Sequence, residues 1–171
     1  DEIVATYGAD TARWFMLSDT PPERDSEWTE SGVEGAWRFT QRVWRLVGQV
    51  LDLVPGAVEA PADFGADALE LRRAAHRTIA AVSEDIEQLR FNRAIARIYE
   101  AVNALGEQIA KLDGAPGPDM AFALREMAGT IVRVASPMVP HLAEEAWVLL
   151  GGEGLLAQAP WPEADAALLV R

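Results

Sequence analysis

Apolar residues recur along most of this chain at three- and four-residue steps, the period of a helix with one buried face. The clearest run is Ser31 to Val54, where Val33, Trp37, Thr40, Trp44, Val47, Leu51 and Val54 trace one stripe, with Ala36, Val43 and Val50 beside it. It predicts a helix of roughly six turns at about 3.6 residues each. Ser31 with Glu34 three residues on fits a capping box, and Pro55-Gly56 supplies the stop. A second helix is expected from an Asp67 cap to about Arg90, on Leu71, Ala75, Thr78, Ile79, Val82, Ile86 and Leu89. A third runs from an Asn92 cap to Leu112 on the near-heptad Ile95, Ile98, Val102, Leu105, Ile109 and Leu112. The fourth, about Asp119 to Ala135, is apolar nearly all round and should lie deepest. Ser136-Pro137-Met138-Val139-Pro140 breaks it. A short fifth helix follows from His141 to Leu150, with Glu144 and Glu145 in its first turns, where acids suit the helix dipole.

Upstream, a short helix from Thr11 to Leu17 is expected, capped by Asp10. Ser18 to Glu30 reads as an acidic loop stiffened by Pro21-Pro22 and pinned to the bundle by Trp28, long enough to suggest a function. Pro55 to Ala66 reads as a linker, and Ala159-Pro160-Trp161-Pro162 as an extended tail. Strand alternation and internal repeats are both missing. The expected fold class is all-α, an antiparallel helical bundle of about four main helices plus short flanking helices, with crossings near about +20°.

Composition sharpens this picture in one place. The chain has 171 residues, half of them hydrophobic, enough for one domain with a real core. Its net charge of −12 argues against a general nucleic-acid binder, because phosphate contacts dominate such affinity. The charge is uneven, however. Residues 1–35 carry nine acids and two arginines, whereas residues 36–54 carry three arginines and one acid. Arg38, Arg42 and Arg45 therefore form a cationic face at helical spacing inside an anionic chain. Spacing alone is more often explained by a merely solvated surface. Arg93 and Arg97, one turn apart and off the seam of the third helix, are weaker candidates for the same role. Fourteen of the fifteen basic residues are arginine, which suits bidentate phosphate contacts, although a coding bias that also inflates alanine accounts for the count equally well. Arg13, set among acids, is expected in a buried or half-buried ion pair.

Candidate chemistry is sparse. The absence of cysteine excludes disulfides, thiolate metal sites and thiol nucleophiles. No apolar run approaches membrane-span length, and no charged-then-apolar leader opens the chain. His76 reads as a core-edge histidine hydrogen-bonded locally, and His141 as a capping or packing residue at a helix start. Neither follows a glutamate at the Glu-x-x-His spacing of di-iron bundles. Glu23, Asp25 and Glu27 lack the glycine and spacing of a calcium loop. Phosphate-loop, Gly-x-Ser-x-Gly and His-Glu-x-x-His motifs are likewise missing. The expectation is a chain with no catalytic residue and no metal site. Its six tryptophans read as core and interface anchors rather than a base-stacking platform.

Three ordered blocks carry a family resemblance. The first is Tyr7-Gly8-Ala9-Asp10-Thr11-Ala12-Arg13, Pro21-Pro22-Glu23, Asp25, Glu27-Trp28, Gly32-Val33-Glu34-Gly35, Arg38-Phe39 and Arg42-Val43-Trp44. The second is His76-Arg77-Thr78-Ile79, Val82, Asp85-Ile86, Phe91-Asn92 and Ala94-Ile95-Ala96. The third is Pro137, Pro140-His141, Ala143-Glu144-Glu145, Trp147 and Leu150-Gly151, with Pro160-Trp161-Pro162 closing the match. Together they resemble bacterial leucyl-tRNA synthetase, a class I aminoacyl-tRNA synthetase, in the text that follows its lysine-rich ATP-binding signature. Arg93 where threonine is usual, Tyr99 where methionine is usual, and Ser18-Asp19 are mild departures.

The resemblance implies a fragment, in keeping with a chain that opens at Asp1 without methionine. Residues 1–30 would be the stem-contact and connecting segment, 31–154 the anticodon-binding helical bundle, and 155–171 a linker toward a C-terminal domain. The partner implied is tRNA(Leu), held by its backbone on Arg38, Arg42, Arg45, Arg93 and Arg97, alongside the catalytic and C-terminal domains of the parent. ATP and Mg²⁺ would belong to the parent enzyme, with no cofactor in the fragment itself. A cytoplasmic, monomeric protein with no membrane partner is implied. The competing expectation is an acidic helical bundle that binds protein and no RNA.

Overall fold

In the computed structural model, which describes residues 2–170, the chain is predominantly helical, with no strand among those residues. Helices α1 (Glu2–Tyr7) and α2 (Ala9–Ser18) lead through the acidic loop into α3 (Glu30–Leu53). Helices α4 (Ala66–Glu87), α5 (Phe91–Lys111), α6 (Pro118–Ala135) and α7 (Pro140–Leu149) complete the bundle. A 3₁₀ turn (Leu156–Gln158) and the single-turn α8 (Ala166–Leu169) follow. The all-α bundle that the periodicity predicts is the observed fold. Helix α4 lies along both α5 and α6, and α2 packs on α3 and α5. As expected of a helix apolar nearly all round, α6 is the most enclosed, with Leu124, Met127, Ile131 and Val134 fully buried.

Helix α3 differs from expectation in its cap and along one edge of the face it buries. Its cap is Thr29, whose hydroxyl accepts the Gly32 N–H at 3.2 Å; Ser31 already lies inside the helix. Of the expected stripe the fold buries Val33, Thr40, Val47 and Val54, with Ala36, Val43 and Val50 beside them, and it adds Phe39 and Leu46 on the same side. Trp37 and Trp44, expected inside, remain 42% and 43% exposed. Aromatic packing sets which edge of this face turns inward. Fully buried Trp14 of α2 stacks on Phe39 with ring centroids 4.3 Å apart, and Tyr99 of α5 lies against both rings. Turning the two indoles inward would expel Phe39 and Leu46 and forfeit that cluster.

Other helix ends also depart from the sequence reading, each because of a contact distant in sequence or a backbone turn. Asp67 sits in the first turn of α4, which is capped by Gly65. Leu89 takes a left-handed φ of 57°, and the Arg90 N–H returns to the Asp85 carbonyl at 2.7 Å, so α4 ends early. Helix α5 then starts at Phe91 with Arg90 as its N-cap, and Asn92 caps nothing. Helix α1 carries no buried residue and so leaves no stripe to read.

Asp10 does not cap α2, which begins one residue earlier. Its carboxylate instead accepts the N–H groups of His141 and Leu142 at 3.2 and 2.7 Å, capping α7 from across the fold. The His141 Nδ1 lies 2.9 Å from the same carboxylate. Arg13 forms no ion pair among the described residues: it donates to the Pro137 carbonyl, so its partner there is the backbone of the proline-rich break. Trp28 does pin the acidic loop, edge-on to Phe15 at 5.0 Å. His76 is at the core edge as expected, yet its partners are remote. Its Nε2 donates to Glu126 Oε1 of α6 at 2.7 Å, and its Nδ1 accepts the Asp165 N–H at 2.9 Å.

Asp119, in the first turn of α6, accepts the Gly65 N–H at 2.9 Å and the Met120 N–H at 2.8 Å. These bonds, the one from Gly65 foremost, favour the carboxylate and lower its pKa below the usual aspartate value. A depressed folded-state pKa contributes stability that is complete above the unfolded value and is lost as pH falls through the folded one. Asp119→Ala should therefore melt below the parent near neutral pH, and the gap should close as the buffer is acidified past the aspartate range. A gap independent of pH would show that the carboxylate charge is not its source.

Candidate nucleic-acid interface

The outer face of α3 carries the arginine row. Arg38 and Arg45 are exposed and Arg42 is half-buried. Arg38 faces Glu34 one turn away at 3.7 Å, with both side chains largely in solvent, so the pair holds weakly. Arg42 reaches across to α5 and donates to Asn103 Oδ1 at 2.7 Å. Gly106 of α5 lies beside it, where a Cβ would stand 3.4 Å from the Arg42 guanidinium, at ordinary contact distance. Arg45 has no hydrogen-bonded or ionic partner among the described residues. With Gln49, Asn103 and Glu107, Arg42 and Arg45 line an open groove of about 510 Å³ between α3 and α5. Guanidinium groups in such a groove present planar donor forks to any anion that enters. Among the described residues none of the three is locked against a buried carboxylate.

Arg93 and Arg97 stand differently. Both turn toward Asp85, which is only 4% exposed, with Nε to carboxylate distances of 3.5 and 3.9 Å, and Arg97 also meets Glu100 at 3.6 Å. A buried carboxylate left alone is costly, so these two charges have a structural task at the α4–α5 turn. The fold thus brings Arg38, Arg42 and Arg45 together on one open face and sets Arg93 and Arg97 around Asp85.

Further arginines, unremarked in the sequence, serve as ties. Arg125 donates to the carbonyls of Val54 and Leu150 at 2.8 Å each, the C-cap residues of α3 and α7. Cations favour such helix ends. Arg133 donates to the Pro160 carbonyl at 2.8 Å. Their partners are backbone atoms, which leave no pattern in a sequence. Among the described residues no group of three His, Asp or Glu side chains is placed to hold a metal ion, and no helix is long and apolar enough to cross a membrane.

Residues 69–170 match the family described as the anticodon-binding domain of tRNA ligase. The chain therefore belongs to the helical anticodon-binding domains of tRNA ligases. Within that class its similarity is to leucine–tRNA ligases. It is 58% identical to the leucine–tRNA ligase of Azorhizobium caulinodans, over 98% of this chain and 20% of that protein. It is 55% identical to that of Parvibaculum lavamentivorans, over 99% of this chain and 19% of the relative. The chain spans about a fifth of the length of these curated relatives. Among solved structures, the agnB2 LeuRS of Agrobacterium radiobacter K84, in a ternary complex with tRNA and LeuAMS, superposes with a TM-score of 0.85. That match has 30% identity over 99% of this chain and 22% of that one. The resemblance read from the three motif blocks thus holds along the whole chain.

Proposed function

We propose that this chain is the tRNA-supporting helical domain of a leucine–tRNA ligase. It positions tRNA(Leu) through backbone contacts while other parts of the polypeptide perform ATP- and Mg²⁺-dependent leucylation. Residues 1–30 connect the bundle to the catalytic body, residues 31–154 form the supporting bundle, and residues 155–171 lead toward a C-terminal domain. The observation that carries this reading is the unlocked arginine row of α3, a cationic face in a chain of net charge −12. Phosphate contacts position an RNA without reading its sequence, which suits arginines spaced along one helix. Arg38, Arg42 and Arg45 lead; Arg93 and Arg97 contribute only as far as Asp85 leaves them free.

Hydroxyl-radical footprinting of a leucine tRNA transcript on a full-length ligase carrying this segment tests the reading. The expected result is one protected stretch of sugar-phosphate that disappears when Arg42 and Arg45 are both changed to glutamate, with other protections intact. A footprint identical in the variant would favour the competing reading, a bundle that engages protein alone.

A further inference from the structure

The two tryptophans that α3 leaves outside point to a second kind of contact. Trp37 and Trp44 lie seven residues apart, as do Arg38 and Arg45, so two parallel rows run along the helix with a step of about 10.5 Å. Neither indole stacks on another ring, and neither N–H finds a protein acceptor, among the described residues. Two half-exposed indoles beside Arg38, which is paired only with solvent-exposed Glu34, and Arg45, unpaired among the described residues, put aromatic and cationic groups together on one face.

Trp37 also walls a shallow pocket of about 360 Å³ between the end of α1 and α3, with Thr6, Tyr7, Glu34 and Arg38. Two aromatic side chains, one carboxylate and one guanidinium around a pocket of this size match the groups of a nucleotide. The ring faces offer stacking, the Glu34 carboxylate accepts from an amino-bearing base edge, and Arg38 meets the neighbouring phosphate. A polypeptide seated here would have to cover Arg38 at its rim and, if it ran on along the helix, Arg45, which has no counter-charge among the described residues. An RNA strand supplies that charge at each step.

Building on the tRNA reading above, we propose that this pocket seats one unstacked nucleobase of the bound tRNA against Trp37. Tyr7 lies at its side, the arginine row follows the adjoining phosphates, and Trp44 gives a second platform two turns on. The α3 face then holds an RNA loop, bulge or junction, where bases are free to turn outward, rather than a continuous duplex.

Trp37→Ala, Trp37→Leu and Trp37→Phe in a full-length ligase carrying this segment test it, by filter binding of a leucine tRNA transcript across a salt series. An Arg38→Ala/Arg42→Ala/Arg45→Ala variant runs alongside, and the melting temperature of each free enzyme is recorded. Alanine and leucine should weaken binding roughly five- to hundredfold, the range of one base–aromatic stack, with the salt slope unchanged. Phenylalanine should restore most of the affinity. Unaltered affinity for Trp37→Ala, beside a shallower slope for the arginine variant, overturns the base pocket and leaves the tRNA reading standing. Rescue by leucine, with an alanine loss matched by a fall in melting temperature, also overturns it, because the indole then packs on polypeptide. If the arginine variant too binds with unchanged affinity and slope, the tRNA reading falls and the pocket with it.

Discussion

Replacing Arg38, Arg42 and Arg45 together by alanine is expected to weaken tRNA binding by a full-length ligase roughly hundred- to thousandfold at low salt, at about 1–1.5 kcal/mol for each charged contact. The loss should shrink as salt is raised. Each phosphate neutralised by a cation releases condensed counterions, so removing three contacts should flatten the plot of log affinity against log salt by about 2 to 3 units. The bundle itself should be unharmed. Arg38 and Arg45 sit in solvent, and the Arg42 bond to Asn103 bridges two helices already held by buried residues such as Phe39, Leu46, Val102 and Leu105. An equivalent substitution at Arg93 and Arg97 should behave in the opposite way. It strands the Asp85 carboxylate, so its effect should appear in melting before it appears in binding. Equal salt slopes for the α3 variant and the parent would remove these arginines from the interface.

The largest effect on stability is expected at Glu126. This α6 carboxylate, 16% exposed, accepts from Arg72 Nε at 3.1 Å and from His76 at 2.7 Å, both on α4. The Arg72 guanidinium lies over the Phe64 and Phe122 rings, at 4.4 and 5.0 Å, where water is scarce. His76 in turn accepts the Asp165 N–H, so one carboxylate joins two core helices and the returning C-terminal segment. Glu126→Ala leaves a largely enclosed guanidinium without its counter-charge and frees the imidazole, at a cost of about 3 kcal/mol. For a domain of this size that corresponds to a melting temperature lower by roughly 6–12 °C. Glu126→Gln keeps one acceptor and should lose about half as much. A change within about 0.5 kcal/mol for the alanine variant would mean that water replaces the carboxylate without strain.

Helices α3 to α7 were readable because four of them bury one face of a regular helix and α6 is apolar nearly all round, and the proline breaks between them are local chemistry. Helix ends were less readable, since Asp10 and Arg90 act through partners or turns that spacing does not encode. On α3 the apolar face is wider than the buried seam, and only the Trp14–Phe39–Tyr99 cluster, drawn from three helices, turns Phe39 inward and leaves Trp37 and Trp44 at the open edge. That choice also decides the character of the candidate site: the arginine row was legible from its spacing, whereas the indoles beside it were expected in the core. Arg93 and Arg97 fit the same spacing rule. Their engagement depends on Asp85, a residue of the preceding helix, and nothing in their own segment reveals it.

The clasp between Asp10 and the start of α7 joins residues 131 and 132 positions apart. On a ribosome, the carboxylate emerges long before the amides it will hold, and Arg13 likewise precedes its carbonyl at Pro137. The opening helices can meet α3 and α5 early, yet their final seating waits for nearly the whole segment to be translated. Vectorial synthesis therefore leaves the opening helices unclasped until the start of α7 emerges, and a stall before Pro137 would yield a bundle whose entrance is still ajar.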